Sequence, residues 1–285
     1  MELLIGSHTD IVGWTETTRG RNEANSMSGL QDRVAIVTGG GRGIGRTIAQ
    51  VLAQKGMRVG LNDVNIVAAE TTAQELRAEG LPVLALAGDV SRKAEVTAMI
   101  DRVEAELGPL WLLVNNAGIL NAAPAAELTE EAWDEAFNVD AKGVFLCSQA
   151  AIKKMIPRHG GRIVNVASIA GMIARTGEIA YCSAKAAVIH FTRCLAVEMA
   201  PHGITVNCLC PGMTRTEMLT VTAKERGLDL DRMVKLIPAG RMAEEADHAH
   251  LVAYFASDEA AHVTGQVVAV DGAQSLSHPY MSCEH

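Results

Sequence analysis

Tyr181 and Lys185 stand four residues apart in the run Tyr-Cys-Ser-Ala-Lys, a spacing that puts both on one face of a helix. A phenol with its ordinary pKa of about 10 is a poor base at neutral pH. A neighbouring ammonium favours the phenolate, and each unit of depression corresponds to ~1.4 kcal/mol. The pair can therefore hold and move one proton. Alone it is unspecific, because a buried tyrosine near a surface lysine is common. Its company raises it: a serine, Ser168, shortly before it, and a glycine-rich turn far upstream.

The chain must supply elements that bring these groups together. An apolar run at 34–37 reads as a buried strand and ends in Thr38-Gly39-Gly40-Gly41-Arg42-Gly43-Ile44-Gly45. Apolar residues at Ile44, Ile48, Val51 and Leu52 then recur with helical spacing. Strand, glycine turn and helix together make a phosphate site credible, since backbone amides and the helix dipole favour an anion there. A second strand at 57–61 leads to Asp63, about 20 residues beyond the glycines, where a carboxylate can bind both ribose hydroxyls of NAD and repel the extra phosphate of NADP. Arg42 is the counter-signal, a base that could welcome that phosphate. NAD is the favoured coenzyme, with NADP left open.

The alternation continues. A helix over 65–79 and a strand over 82–87 precede Gly88-Asp89-Val90-Ser91, where Asp89 and Val90 would flank an adenine and Ser91 would cap the next helix. A fourth strand at 110–114 ends in Asn115-Asn116-Ala117-Gly118, small and amide residues that let backbone approach a ligand while pinning neighbouring strands. The next helix begins near Thr129 and runs through Trp133, Phe137 and Val144, with Asn138 standing out in its core-facing pattern. Strands at 162–167 and 204–210 bracket a long helix over 178–200 that carries Tyr181 and Lys185. Residues 213–240 read as one or two short helices in an insertion, followed by a helix at 244–257 and a strand at 266–270. Seven strand segments alternating with helices predict one Rossmann-like, doubly wound α/β domain over 29–285: a seven-stranded parallel sheet with helices on both faces.

Composition narrows the function. With 285 residues and 48% hydrophobic content, one large core is within reach. A net charge of −8 argues against nucleic acid and an anionic membrane as partners, and no apolar run approaches the ~18 residues of a membrane helix. Aromatic residues make up only 4%, so the core must be mainly aliphatic. The six cysteines lack zinc spacing and read as reduced thiols of a cytoplasmic protein, mostly core fillers. Cys208 and Cys210 would share one strand face, with Leu209 opposite. Residues 1–28 lack a secretory signal and read as a flexible extension, with Met27 a candidate native initiator. His248 and His250 beside Asp247 invite a metal, but residues two apart diverge on a helix. A surface helix and no metal is the expectation.

In order along the chain, Thr38-Gly39-(three residues)-Gly43-Ile44-Gly45, Asn115-Asn116-Ala117-Gly118, Asn138, Ser168, Tyr181-(three residues)-Lys185, Pro211-Gly212 with Thr216, and Asp271-Gly272 resemble the short-chain dehydrogenase/reductase family over about residues 30–273. The resemblance implies a nicotinamide-dependent oxidoreductase acting on an alcohol or ketone, usually a homotetramer. It makes Tyr181 the acid/base and gives Lys185 two tasks, binding the nicotinamide ribose and lowering the Tyr181 pKa. Ser168 would bond the substrate oxygen, and Asn138 would position a water linking Lys185 to solvent. It further implies cofactor contacts at Gly39, Arg42, Gly43, Ile44, Gly45, Asp63, Asp89, Val90, Asn116, Ala117, Gly118, Tyr181, Lys185, Pro211, Gly212, Met213, Thr214 and Thr216. Two departures, the long N-terminus and Ala273 where a second glycine is usual, do not touch the chemistry.

The substrate is less legible. Leu120, Asn121, Ala170, Arg175, Glu178 and the stretch from Met213 to Met218 are candidate pocket liners. The polar members Asn121, Arg175 and Glu178 lean toward a sugar or polyol. The rival enzyme is a 3-oxoacyl thioester reductase, for which a basic docking patch for an acidic carrier would be expected. A catalytically silent NAD-binding regulator is the rival from another class, since a fold alone never fixes activity.

Overall fold

The computed structural model describes residues 28–277; the expectations for 1–27, the flexible extension and the Met27 start among them, lie outside the described residues. Ser28 itself is held in place, its amide and hydroxyl both donating to Glu259 Oε1 at 2.9 Å.

Seven strands form one parallel sheet: β1 Val34–Thr38, β2 Arg58–Asp63, β3 Val83–Ala87, β4 Leu110–Asn115, β5 Gly161–Val166, β6 Ile204–Pro211 and β7 Val267–Val270. Their order is β3-β2-β1-β4-β5-β6-β7. The chain winds outward from β1 in one direction, then restarts at β4 and winds the other way, which leaves a crevice at the carboxyl ends of β1 and β4.

Strand alternation sorts side chains between two cores. Ala35 and Val37 of β1 enter the core under α1 (Gly43–Gln54), α2 (Ile66–Ala78) and α9 (Glu245–Ala256). Val34 and Ile36 enter the opposite core, under α3 (Lys93–Glu106), α5 (Gly143–Met155) and α6 (Ile179–Met199). A register slip between β1 and β4 pairs Val34 with Leu110 but Ala35 with Leu112, so one strand skips Trp111 and keeps its inward set aligned. Cys208 and Cys210 face the third cluster while Leu209 faces the first, the alternation expected of them.

The insertion folds as α7 (Glu217–Arg226) and α8 (Leu230–Val234), with Met213, Ile237 and Met242 beneath them. The helix expected to run unbroken from about Thr129 is divided. Thr129 does cap α4 (Glu130–Phe137), accepting from the Ala132 amide. A π turn at Asn138–Lys142 then separates it from α5. Wide turns of this kind inside helices recur at functional sites. The cap expected of Ser91 is also corrected: Arg92 occupies the N-cap of α3 without a side-chain bond. Both the Ser91 amide and hydroxyl are taken by Asp89 Oδ1, at 2.9 and 2.7 Å.

Among the described residues, no helix is long and apolar enough to cross a membrane.

Candidate active site

The strand ends build the site. The Thr38 hydroxyl, at the end of β1, accepts from the amides of Asn116 at 3.0 Å and Ala117 at 3.1 Å. The Asn116 side chain donates back to the carbonyls of Thr38 and Gly39 at 2.9 and 3.0 Å. Asn115, below it, links to Ser148 Oγ and Asn165 Oδ1, and Asn165 to Thr192. These bonds lock the glycine turn to β4 and tie β4 to α5 and β5 to α6, the helix carrying Tyr181 and Lys185. Space is tight: a methyl group on Gly45 would overlap the Gly39 carbonyl oxygen and come within 2.5 Å of Asn116 Nδ2. Gly39 and Gly43 hold positive φ angles of 62° and 60°, open to glycine at little cost.

A cavity of about 550 Å³ runs from this turn to the middle of α6. Every cofactor-contact candidate lines it: Gly39, Arg42, Gly43, Ile44 and Gly45 at the turn; Asp63, Asp89 and Val90 at the ends of β2 and β3; Asn116, Ala117 and Gly118 after β4; Tyr181 and Lys185 on α6; Pro211, Gly212, Met213, Thr214 and Thr216 after β6. Ser168 lines it as well. Asp63 Oδ2 accepts from the Gly41 amide and Oδ1 from the Asn65 amide, both at 3.0 Å, which fixes the carboxylate at the wall. The helix cap of α2 is Asn65, not Asp63. Arg42 reaches across the mouth to Glu217 of α7 at 3.2 Å, both side chains largely exposed.

The reactive end is dense. Tyr181 sits with the Lys185 ammonium 5.6 Å from its ring centre, and the buried Ser168 favours the charged form of its phenol. Burial pushes the Tyr181 phenol above its ordinary value and outweighs the opposing pull of Lys185. The sign expected of Lys185 is present, but the depressed phenol is not; a further positive charge is needed to reverse the balance.

Lys185 is buried, donating to the Val166 carbonyl at 3.3 Å. Its charge partner is Asp140, whose Oδ1 lies 3.6 Å from Nζ with neither side chain exposed by more than 4%. Asn138 does not take this place. Its amide oxygen accepts from Lys142 Nζ at 3.1 Å toward solvent, and it is not among the cavity's lining residues. Asp140 is the inward residue instead, four positions after the buried Ala136 and so on the same face. The signal for Asp140 was available: an acid between Val139 and Ala141 in a core-facing stretch.

Two other expectations are corrected. Asn121 spends its amide on the Ala132 carbonyl and Glu135 Oε2, and Ala170 is buried with its amide donating to Ser168 Oγ; neither lines the cavity. Glu178 and Met218 do line it, as does Leu120. Glu178 is buried and meets Arg175 at 3.5 Å. Glu135, Val139, Leu219, Leu228 and Met233 join the wall from elements that sequence spacing does not bring together.

His248 is fully buried rather than on the helix surface, and its Nε2 lies 2.7 Å from the Thr214 hydroxyl. That hydroxyl donates to the Gly212 carbonyl at 2.9 Å, so His248 must donate through Nε2. Nδ1 is left without a partner. Burial lowers the His248 pKa to about 4. Among the described residues, no three His, Cys, Asp or Glu side chains gather as a metal site would require.

Comparison with known proteins agrees with this geometry. The family described as short chain dehydrogenase matches residues 33–227. The chain is 39% identical over 249 residues to the (2S)-[(R)-hydroxy(phenyl)methyl]succinyl-CoA dehydrogenase subunit BbsD of Thauera aromatica, covering 87% of this chain and 98% of that one. It is 38% identical over 239 residues to the 3-oxoacyl-[acyl-carrier-protein] reductase FabG of Staphylococcus aureus, covering 84% and 96%. The solved structure of levodione reductase superposes with a TM-score of 0.84 at 32% identity, covering 87% of this chain and 99% of that one. The chain belongs to the short-chain dehydrogenase family, whose oxidoreductases use NAD or NADP.

Proposed function

We propose that this oxidoreductase interconverts a secondary alcohol and a ketone with NAD, Tyr181 serving as the acid and base. One observation carries the reading: Ser168, Tyr181 and Lys185 converge at one end of a single cavity whose other end is the glycine turn. When bound, the nicotinamide coenzyme supplies the acceptor or donor of the hydride. The protein's own groups orient the substrate and handle one proton. Ser168 bonds the substrate oxygen. In oxidation the alcohol proton passes to Tyr181 Oη; in reduction the same atom returns it to the forming alkoxide. Lys185 binds the nicotinamide ribose and lends positive field to the phenol.

Asp63 favours NAD, since its fixed carboxylate stands at the end of β2 against any added phosphate. Arg42 would have to leave Glu217 to greet such a phosphate.

For the substrate, the loss of Asn121 from the wall weakens the sugar or polyol reading. Leu120, Met218, Leu219, Leu228 and Met233 suit a mainly apolar body, with Glu135 and the Arg175 and Glu178 pair as polar landmarks. An acyl thioester is the second reading, favoured by that same apolar wall. A substrate panel at the NADH absorbance, with NAD and NADP, on cyclic ketones, secondary alcohols, acyl thioesters and polyols tests the assignment. Turnover confined to polyols would refute the apolar-body reading, and no turnover of any class would favour the silent regulator.

We place subunit contacts on the exposed apolar residues Trp133, Phe145 and Val197 of α4, α5 and α6, consistent with a homotetramer; light scattering showing a monomer would remove this. The five described cysteines are free thiols, which suits a reducing cytoplasm.

A further inference from the structure

Asp140 is a fully buried carboxylate inside the π turn at Asn138–Lys142, and a buried charge needs partners. Its Oδ1 accepts from the Ile119 amide at 3.0 Å and faces Lys185 Nζ at 3.6 Å. Its Oδ2 has no partner. The approach is built into the backbone: a methyl group at Gly118 would lie 2.7 Å from Asp140 Oδ1 and 3.1 Å from Lys185 Nζ. Glycine at 118 thus gives the carboxylate its access to the lysine. Burial pushes the Asp140 carboxyl above its usual range, while the Lys185 ammonium and the Ile119 amide pull toward the charged form.

We propose that Asp140 is a positioning residue for proton transfer, its carboxylate seated against Lys185 in the π turn and absorbing part of the lysine field that acts on Tyr181. This rests on the assignment of Tyr181 as the acid and base. The consequence is directional: the site holds its proton ready for carbonyl reduction at neutral pH and needs alkaline conditions to oxidise an alcohol.

The surrounding charges agree. On α6 stand Tyr181 and Lys185 themselves. From β6 the Cys208 and Cys210 thiols face the lysine. At the cavity mouth Arg175 and Glu178 form their own pair, leaving Arg175 a weak influence on the phenol. Burial works against the Lys185 charge, yet Asp140, with help from Tyr181 and Cys208, holds the ammonium above its usual range. Burial raises the Tyr181 phenol first, and Asp140 raises it further against Lys185.

The test is Asp140→Asn, which keeps the shape and an oxygen for the Ile119 amide while removing the charge. Asp140→Ala, measured in parallel, guards against a folding defect peculiar to one variant. The full chain is titrated two ways. The first is the pH profile of kcat/KM for alcohol oxidation with NAD. The second is the ultraviolet tyrosinate signal of the coenzyme-free protein, with Tyr181→Phe subtracted to isolate Tyr181. Both transitions are expected to move to lower pH by about one unit or more, the size of a nearby-charge effect. Transitions unmoved in both variants would overturn the proposal. Because the tyrosinate titration needs no turnover, a shift there with no change in the activity profile would retain the Asp140 coupling and instead refute Tyr181 as the acid and base.

Discussion

His248 holds Thr214 from beneath the cavity, Nε2 to hydroxyl at 2.7 Å, with the other ring nitrogen buried and bare. Protonating Nδ1 would bury a charge with no partner, and burial lowers the imidazole pKa to about 4. An unfolded chain would bind that proton near the ordinary value of about 6.5. Between those two values the unfolded state is the better proton binder, so stability is fully present above about pH 6.5 and declines as pH falls toward 4. Histidine ring NMR should show one of the nine histidines titrating near 4 and disappearing in His248→Gln. Titration of that residue near 6.5 would contradict its neutral burial.

Gly45 packs where no side chain fits, between the Gly39 carbonyl and Asn116 Nδ2. Gly45→Ala should therefore push the glycine turn away from β4. Overpacking of this kind costs about 1–3 kcal/mol, and the turn's amides would lose their aim at a phosphate. Lower thermal stability together with weaker NADH binding, read by fluorescence titration, is the expected pairing. Wild-type binding in the variant would contradict the tight turn.

Coenzyme choice should follow Asp63. Asp63→Ala removes the carboxylate that the Gly41 and Asn65 amides hold at the wall. The ratio of kcat/KM for NAD over NADP should fall at least about tenfold, equivalent to ~1.4 kcal/mol of discrimination. Arg42→Ala should lower NADP turnover more than NAD turnover. An unchanged ratio in Asp63→Ala would move the discrimination elsewhere.

The regular parts of this fold were legible because the evidence for them is local. Strand runs followed by helical spacing placed each strand within a few residues, and Cys208, Leu209 and Cys210 sorted to opposite faces by alternation alone. The glycine turn, Ser168, Tyr181 and Lys185 were equally visible, since each sits at a strand end or on one helix. What failed depended on where a helix points. At the π turn after Phe137 the inward residue is Asp140 and not Asn138; it lies four positions after Ala136 and four before Val144, both buried, but an acid on that face does not read as a core residue. His248 was placed on a surface helix because it and His250 diverge two residues apart, while its burial follows from α9 packing over the stretch after β6. The substrate wall was hardest, because α7 and α8 bring Leu219, Leu228 and Met233 to Leu120 from about 100 positions away.

The most direct test of the account is turnover by Tyr181→Phe, which deletes one oxygen and leaves the ring packed beside Lys185. With the best substrate from the panel, kcat should fall by at least about 100-fold, the scale of a lost general acid and base, while NADH binding measured by fluorescence stays close to that of the unaltered protein. A variant that keeps its turnover would contradict Tyr181 as the proton-handling group.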